Sequence, residues 1–385
     1  MIESIGEEIF NFQDERFADI QMLRYRLPDF EALTIRQKQL IYCLSEATLF
    51  GRDITFDQFG KYNLRIRKTL EAVYLNYNGD RLENNFRALE EYLKHVWFAS
   101  GIYHHYACDK FSPLFTEDFF RNEVLAIDSK LLPLNDGESV TSLLNELCLV
   151  IFDPTILPKR VDKSDGKDIV RSSACNYYDG VSQHEVEEFY AKLKKEGPAV
   201  EAPSYGLNST LVKEGDFIRE DVWKIDGKYG AAIEKIVYWL ERAKEFVEND
   251  QQLHVINLLI RYYKTGDLHD FDIYSIEWLH EQEGRIDFIN GFIEVYGDPM
   301  GLKGSWEGIV EYKDLEATHR TQAISANAQW FEDHSPVNPQ FRKPVVKGVT
   351  ANVICAAMLG GDEYPASAIG INLPNADWIR AEHGS

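Results

Sequence analysis

The sequence predicts an α+β protein whose helices dominate the first part of the chain and whose strands lie mostly in the second. Apolar residues recur at helical spacing through the first 155 or so residues, and three strand-like segments lie toward the C-terminus. The composition is globular, because 44% of the 385 residues are hydrophobic and 27% are charged. Such a length corresponds to roughly two or three domains, or to one large domain with an insertion.

The helices of the first part are marked by local start and stop signals. Thr34 and Gln37 have the spacing of a capping box, in which each side chain satisfies the other residue's backbone N–H, and Gly51 marks the end of that helix. Apolar spacing predicts further helices near residues 62–77 and 82–98. The first part of the chain is therefore expected to be helical.

The middle of the chain, residues 156–230, mixes both types of structure. Ser182 and Glu185 form a second capping box, which predicts a helix over residues 183–196. Pieces rich in β-branched and aromatic residues, separated by turn signals, predict a hairpin within residues 207–225.

Two helices and then three strands follow. The helices are predicted over residues 233–247 and 255–263, with Gly266 ending the second. A further helical segment is predicted around residues 315–332. The strands are predicted at Asp287–Tyr296, Trp306–Tyr312 and Val349–Leu359.

The charge of the chain limits its partners. Lys and Arg number 41 against 63 Asp and Glu, a net charge of −22. A surface this acidic repels nucleic acids and anionic lipids and favours ligands that carry an amine. We therefore expect neither a nucleic acid nor a membrane as a partner. The longest apolar run, residues 147–152, is too short to span a bilayer. The five cysteines form no C-x-x-C pair, which indicates a cytoplasmic location, or a periplasmic one after removal of an export signal.

Motifs for metal binding are incomplete. His184-Glu185 has no second histidine downstream, and its capping-box role explains it better. His280-Glu281 is followed by Arg285 where a zinc motif has its second histidine, and a cation cannot ligate zinc, so a helix end capped by Gly284 is the expected structure. The group at residues 104–108 lacks a third ligand. No metal ligand is predicted in this chain.

The predicted strand Asp287–Tyr296 contains a candidate site for a peptide. Alternation would turn Ile293 and Val295 to the core and Glu294 and Tyr296 together to the other face, separated by roughly 7 Å. A carboxylate can hold an ammonium group, and a phenol can donate to a carbonyl oxygen that becomes an oxyanion. The alternative is a solvent-facing strand end before a Gly-Asp-Pro turn.

A second candidate segment contains Asn372 and Asn375, which bracket a Leu-Pro step. The proline keeps the residue before it out of the helical conformation, so the segment is extended or a turn. Each amide offers two donors and an acceptor, which suit a peptide backbone or an amine. The alternative is a pair of turn-forming asparagines.

Taken together, these segments resemble the dipeptidyl peptidase III family, especially its bacterial members. The resemblance is carried by motifs in the same order along the chain: residues 17–21, 96–98, 292–299 with 301–307, 328–336 and 371–380. It implies a zinc exopeptidase that releases dipeptides from the N-terminus of short peptides. Members have two lobes around a wide cleft, one a helix-rich lobe built around a small β-barrel and the other mostly helical and holding the zinc.

The resemblance also implies roles for individual residues. Glu294, Asn372 and Asn375 match the positions that bind the N-terminal amine and first residues of the substrate. Tyr296 matches the catalytic tyrosine, which hydrogen-bonds the scissile carbonyl and stabilises the tetrahedral intermediate.

The chain departs from the family in one respect. The zinc motif H-E-x-x-G-H and a later glutamate ligand lie downstream of the Asn-Leu-Pro-Asn segment in the family, and this chain contains neither. The resemblance therefore implies that this chain is the N-terminal, substrate-binding portion of the enzyme and that the zinc lobe is largely absent from it. The full-length protein would need zinc, and we expect none in this chain. We expect the chain alone to bind short peptides with a free N-terminus without cleaving them.

The same resemblance implies a division into parts. Residues 1–155 would form the helical N-terminal part of the barrel lobe, residues 156–314 and 355–385 its mixed core with the substrate-binding strand, and residues 315–354 the segment crossing toward the zinc lobe. Two other classes of function remain open: a non-catalytic peptide-binding or interaction module, and an unrelated enzyme with paired carboxylates, such as a glycosidase.

Overall fold

A computed structural model describes residues 10–346, 352–365 and 368–385. The helices α1 to α14 are Ile35–Phe50, Arg52–Phe59, Asn63–Asn76, Asn84–Phe98, Glu117–Leu125, Val140–Phe152, Ile169–Ser172, Gln183–Glu196, Gly230–Ala243, Asp250–Thr265, Leu268–His280, Leu315–Ala326, Ala328–His334 and Asp377–Glu382. The strands β1 to β8 are Gln13–Phe17, Ile20–Leu23, Tyr178–Asp179, Ser209–Glu214, Phe217–Val222, Ile286–Glu294, Ser305–Lys313 and Ile354–Gly361. The α+β class is confirmed.

The predicted helices of the first part are present as α1, α3 and α4. The α1 capping box forms as expected, since Gln37 N–H donates to Thr34 Oγ1 at 3.2 Å and Thr34 N–H donates to Gln37 Oε1 at 2.9 Å. A short antiparallel hairpin, β1 and β2, precedes these helices and was not predicted. Four of the five residues of β1 are charged or amide residues and are exposed, so no apolar alternation marks this strand.

The middle and later helices follow the local signals, except that α9 ends at Ala243, four residues before its predicted end. The capping box at Ser182 begins α8, and α10 ends before Gly266, whose φ of 70° is the left-handed conformation typical of a helix C-terminus. The predicted helix 315–332 is split at Asn327 into α12 and α13. None of the helices in the described part of the chain is long and apolar enough to cross a membrane.

The strands form three open sheets. They are a hairpin of β1 and β2, a mixed sheet in the order β3-β4-β5 that contains the predicted hairpin, and an antiparallel sheet in the order β6-β7-β8. No sheet closes into a barrel within the described residues, so the small β-barrel implied by the resemblance is not confirmed. The division of the chain into the parts given above stays a prediction.

The sheet β6-β7-β8 differs from its prediction at two strand ends. Strand β6 ends at Glu294, two residues before the predicted end, and β8 begins at Ile354. The predicted start of that last strand, residues 349–351, lies outside the described residues. Strand β7 matches its prediction closely.

Both faces of this sheet are covered. One face contributes Phe288, Phe292 and Trp306 to the largest core cluster, which also includes side chains of α1, α9 and α10. The other face contributes Ile289, Ile293 and Ile309 to a smaller cluster, completed by Leu373 from the C-terminal segment. Every residue of β7 is therefore buried, and the sheet is a rigid base for the side chains at its edge.

Candidate substrate-binding site

A β-bulge at the end of β6 determines where Glu294 points. Phe292 pairs with Trp306 and Glu294 pairs with Ser305, so Ile293 is an extra residue on β6. With regular alternation Glu294 would share the face of Phe292, which is fully buried in the helix-packed core. The bulge instead brings both Ile293 and Glu294 into the wall of a cavity.

Glu294 and Asn375 are in direct contact. Asn375 Nδ2 donates a hydrogen bond to Glu294 Oε1 at 3.2 Å, across 81 residues of sequence. The contact depends on Leu373, which packs with Ile289, Ile293 and Ile309 and so holds the C-terminal segment against the sheet. The structure thus brings together two of the four residues that the sequence singled out.

The other two predicted site residues are placed differently. Tyr296 does not extend the strand; it lies in the turn after β6, with 82% of its surface exposed, so the prediction that it shares a strand face with Glu294 is wrong. It nevertheless lines the same cavity as Glu294, and Val295 lines it too. Asn372 is exposed, does not line the cavity, and makes no side-chain hydrogen bond within the described part of the chain.

The cavity has a volume of about 870 Å³. Its walls are formed by the end of β6, helix α11, the loop 199–205 after α8, and the segment 373–378. This volume lies in the range of small-molecule and short-peptide sites. Glu294, Tyr296 and Asn375 line it together with apolar side chains.

Glu294 belongs to a group of four carboxyl groups that interact electrostatically. They belong to Glu294, Glu307, Asp362 and Glu363. Burial raises the pKa of Glu294, while the Asn375 hydrogen bond lowers it and Glu363 raises it further. Burial, followed by the charges of Glu294 and Glu363, raises the pKa of Glu307 well above its usual range. A cation bound here would relieve this repulsion.

Sequence reasoning missed Glu307 as a neighbour of Glu294. Glu307 lies two residues beyond Ser305 on β7, and Ser305 is the partner of Glu294, so both carboxylates are on the same face of the sheet. Its side chain is buried and its Oε2 has no hydrogen-bond partner in the described residues. The Trp-Glu pair in the family-like motif was the available signal, but the pairing register was needed to use it.

The turn after Tyr296 is fixed by Asp298. This buried carboxylate accepts hydrogen bonds from Tyr178 Oη at 2.8 Å and from the backbone N–H groups of Leu302 at 2.8 Å, Lys303 at 2.9 Å and Met300 at 3.1 Å. The Gly-Asp-Pro turn, which the sequence left open as the alternative, is therefore a hydrogen-bonded structure directly after Tyr296, and Tyr296 lines the cavity.

A model of peptidase family M49 matches residues 178–385, more than half of the chain and all of the site described above. The chain belongs to peptidase family M49. This is a family of zinc metallopeptidases, so the resemblance noted in the sequence is confirmed.

Known relatives of this M49 chain include dipeptidyl peptidase 3 of Homo sapiens, 22% identical over 92% of this chain and 52% of that protein. Dipeptidyl peptidase 3 of Nematostella vectensis is 22% identical over 78% of this chain and 44% of that protein. The structure of DPP III from Caldithrix abyssi superposes with a TM-score of 0.64 at 16% identity, covering 92% of this chain and 55% of that one. The M49 chain thus has the DPP III fold and spans about half the length of the relatives it matches.

The described residues of the M49 chain do not form a zinc site. The Glu185 side chain is part of the capping box of α8, where it accepts a hydrogen bond from the Ser182 N–H at 2.8 Å. Helix α11 ends at His280, not at Gly284 as predicted, and Glu281 accepts hydrogen bonds from Asn249 Nδ2 and from the Gly284 N–H, each at 2.8 Å. Residues 105–107 form a turn. No group of three metal-binding side chains occurs in the described ranges, so these residues do not fit a zinc ion.

Proposed function

We propose that this chain is the substrate-binding portion of a zinc-dependent dipeptidyl peptidase and that it holds the free N-terminus of short peptides. The observation that carries the proposal is the Glu294–Asn375 contact of 3.2 Å at the wall of a cavity of about 870 Å³. Membership of family M49 supports a peptide substrate.

Glu294 and Asn375 are suited to an ammonium group. The Glu294 carboxylate is half-buried, so its hydrogen bonds to an ammonium are stronger than they would be in water. Asn375 already orients one carboxylate oxygen, and its own carbonyl oxygen can accept from the same ammonium. The neighbouring carboxyl groups of Asp362 and Glu363 favour the positive charge further when they are ionised.

Asn372 and Tyr296 act on the peptide beyond its amine in this proposal. Asn372 is exposed and precedes the buried Leu373, so its amide is free to bond the peptide backbone. The exposed Tyr296 would donate to the carbonyl of the bond that is cleaved and stabilise its oxyanion. The distance from the amine site to Tyr296 would select the second peptide bond.

In this proposal, hydrolysis also requires a zinc site that the described residues do not provide. Zinc, when bound to such a peptidase, polarises the scissile carbonyl and activates a water molecule. The sequence has no H-E-x-x-G-H motif, and the described residues do not fit the ion. We therefore expect the 385-residue chain to bind peptides without cleaving them, and cleavage by the purified chain at an enzyme-like rate would contradict this.

Calorimetry with a tetra-alanine peptide tests the amine site. The free peptide should bind, and its N-acetylated form should bind roughly ten- to a hundred-fold more weakly because it carries no ammonium. Glu294→Gln should weaken the binding of the peptide with a free N-terminus by a similar factor. The matched control is Glu234→Gln, an exposed glutamate on α9 with no ion pair in the described chain, which should change nothing. Equal binding of the free and acetylated peptides would refute the proposal.

A further inference from the structure

A lysine side chain is fully enclosed beneath the turn that follows β6. Lys303 lies two residues before β7, and 0% of its surface is exposed. Its ammonium group donates hydrogen bonds to the hydroxyls of Tyr190 on α8 and Ser209 on β4, the latter at 3.0 Å. Glu220 on β5 supplies the opposite charge, since its Oε1 lies 3.9 Å from Lys303 Nζ. Lysine is almost never buried so completely without partners, and here its partners come from three elements.

The ammonium group of Lys303 keeps its proton at neutral pH. Burial lowers the pKa of this group to about 8, and the charges of Glu220 and Asp298 oppose that shift. Tyr178 on β3 adds an aromatic contact, because its ring centroid lies 5.7 Å from Lys303 Nζ. A charged lysine therefore joins the turn to helix α8 and to all three strands of the neighbouring sheet.

The backbone of Lys303 belongs to the turn that carries Tyr296. Its N–H donates to the buried Asp298 carboxylate at 2.9 Å. Asp298 in turn donates its own N–H to the Val295 carbonyl at 3.2 Å, so these two residues bracket Tyr296. Lys303 thus connects the hydrogen bonds inside the turn, through its N–H, with the helix and sheet outside it, through its ammonium group.

Tyr296 depends on this turn for its position. Glu294 is held by the sheet, where it pairs with Ser305, but Tyr296 lies beyond that last pair of residues. Its side chain is 82% exposed, so packing does little to hold it. The place of Tyr296 relative to Glu294 is therefore determined by how the turn is anchored.

We infer that Lys303 is a positioning residue, which ties the turn 295–304 to α8 and the neighbouring sheet and so fixes the reach from Glu294 to the Tyr296 hydroxyl. The inference rests on the proposed function, in which Glu294 holds the amine and Tyr296 meets the carbonyl of the second peptide bond. A turn that is already fixed spares the peptide the cost of ordering it on binding. Lys303 is enclosed and touches no part of the peptide, yet it would determine which peptide bond is recognised.

Tetra-alanine analogues that lack one carbonyl group test this inference. In an (E)-alkene analogue a carbon–carbon double bond replaces one peptide bond, which keeps the extended shape and removes the acceptor oxygen. Calorimetry on the 385-residue chain should show roughly three- to tenfold weaker binding for the analogue altered at the second bond than for the one altered at the third. Tyr296→Phe should remove this second-bond penalty, because the hydroxyl that donates is gone.

Lys303→Met keeps the stem of the side chain and removes its charge. We expect this variant to lose the second-bond penalty, as Tyr296→Phe does, and to keep the preference for tetra-alanine over its N-acetylated form. The two substitutions combined should have no larger effect than either alone, since both act on one contact. Lys61→Met is the matched control, because Lys61 is exposed and has no ion pair in the described chain, and it should change neither ratio.

The two ratios separate the possible results. If Lys303→Met keeps the second-bond penalty, the inference is overturned while the proposed function stands. If this variant loses the preference for a free amine as well, Lys303 has only a general structural role, and the inference is again overturned. If the unaltered chain shows no second-bond penalty, or binds no tetra-alanine, the inference and the proposed function of Tyr296 fail together.

Tyr190→Phe covers the case in which Lys303→Met does not fold by circular dichroism. This variant removes one hydroxyl that accepts from Lys303 and leaves the Ser209 hydroxyl in place. The second-bond penalty should decrease. In hydrogen–deuterium exchange, the amides that donate to Asp298 should exchange faster, whereas those of β7 should not; they belong to residues 300, 302 and 303. An unchanged penalty, or unchanged exchange in the turn, would overturn the inference.

Discussion

Asp287 and Glu311 lie directly opposite each other on β6 and β7, where Glu311 is buried and Asp287 is half-buried. Burial raises the pKa of Asp287 to about 6 and that of Glu311 to about 8, and the charge of Asp287 contributes to the second shift. Two like charges in one buried cross-strand pair repel each other, so at neutral pH the pair retains a proton.

This pair predicts that stability falls as the pH rises. Both carboxyls bind their protons more tightly in the folded chain than in the unfolded chain, where their pKa values are near 4. Their contribution is therefore fully present below pH of about 4 and is lost as the pH rises through about 6 and 8. Urea unfolding at pH 5 and 8.5 should show a lower midpoint at 8.5. Glu311→Gln should reduce this difference and Glu234→Gln should not; an unchanged difference in Glu311→Gln would contradict the assignment.

The pH should also affect peptide binding, through Glu294. An ammonium needs the ionised carboxylate, and burial raises the pKa of Glu294, so affinity should increase with pH until that group is ionised. Asn375→Ala removes the hydrogen bond that favours the ionised form. We expect this variant to bind free-amine peptides roughly tenfold more weakly and to reach its full affinity only at a higher pH. A calorimetric pH series for both proteins checks the shift, and superimposable profiles would argue against the contact.

The turn that carries Tyr296 should depend on Tyr178. Its hydroxyl donates to the buried Asp298 at 2.8 Å, so Tyr178→Phe leaves that carboxylate with one donor fewer. We expect a loss of about 1–3 kcal/mol in the free energy of unfolding, measured with urea. Tyr25→Phe is the control, because Tyr25 is 80% exposed and its hydroxyl has no partner in the described chain. Equal stability of the two variants would mean that this hydrogen bond contributes nothing.

Gly51 should not accept a side chain. Its backbone conformation is open to any residue, but a Cβ atom there would lie 2.1 Å from the Trp306 ring, which is fully buried between α1 and the sheet. We expect Gly51→Ala to destabilise the chain by about 3 kcal/mol or more in urea unfolding. Gly370→Ala, where a Cβ meets open space, should be neutral within about 0.5 kcal/mol. A neutral Gly51→Ala would show that α1 can shift away from the sheet.

Much of the helical structure could be predicted because its signals are local. Thr34 with Gln37 and Ser182 with Glu185 are three residues apart, and in the structure they make the predicted reciprocal hydrogen bonds. The strands were predicted less well at their ends. Strand β6 ends at Glu294, and the turn after it is held by hydrogen bonds to Asp298, one of which comes from Tyr178 on the distant strand β3. The hairpin of β1 and β2 was missed because its first strand has no apolar pattern.

In the candidate site, too, local motifs could be predicted and long-range contacts could not. Motifs alone singled out Glu294, Tyr296, Asn372 and Asn375, and their roles in binding and catalysis stay predictions. Glu307 belongs to a motif that resembles the family, but only the strand register shows that it lies beside Glu294.

The sequence by itself predicted the family, the capped starts of α1 and α8 and the lack of a zinc motif, because each of these depends on residues that are close together along the chain. Only the tertiary structure decided that Glu294 lines a cavity and that Asn375 contacts it across 81 residues. The bulge at Ile293 and the burial of Leu373 produce those relationships. Both features depend on contacts between segments that are far apart along the chain. Their free energy cannot be inferred from any one stretch of the sequence.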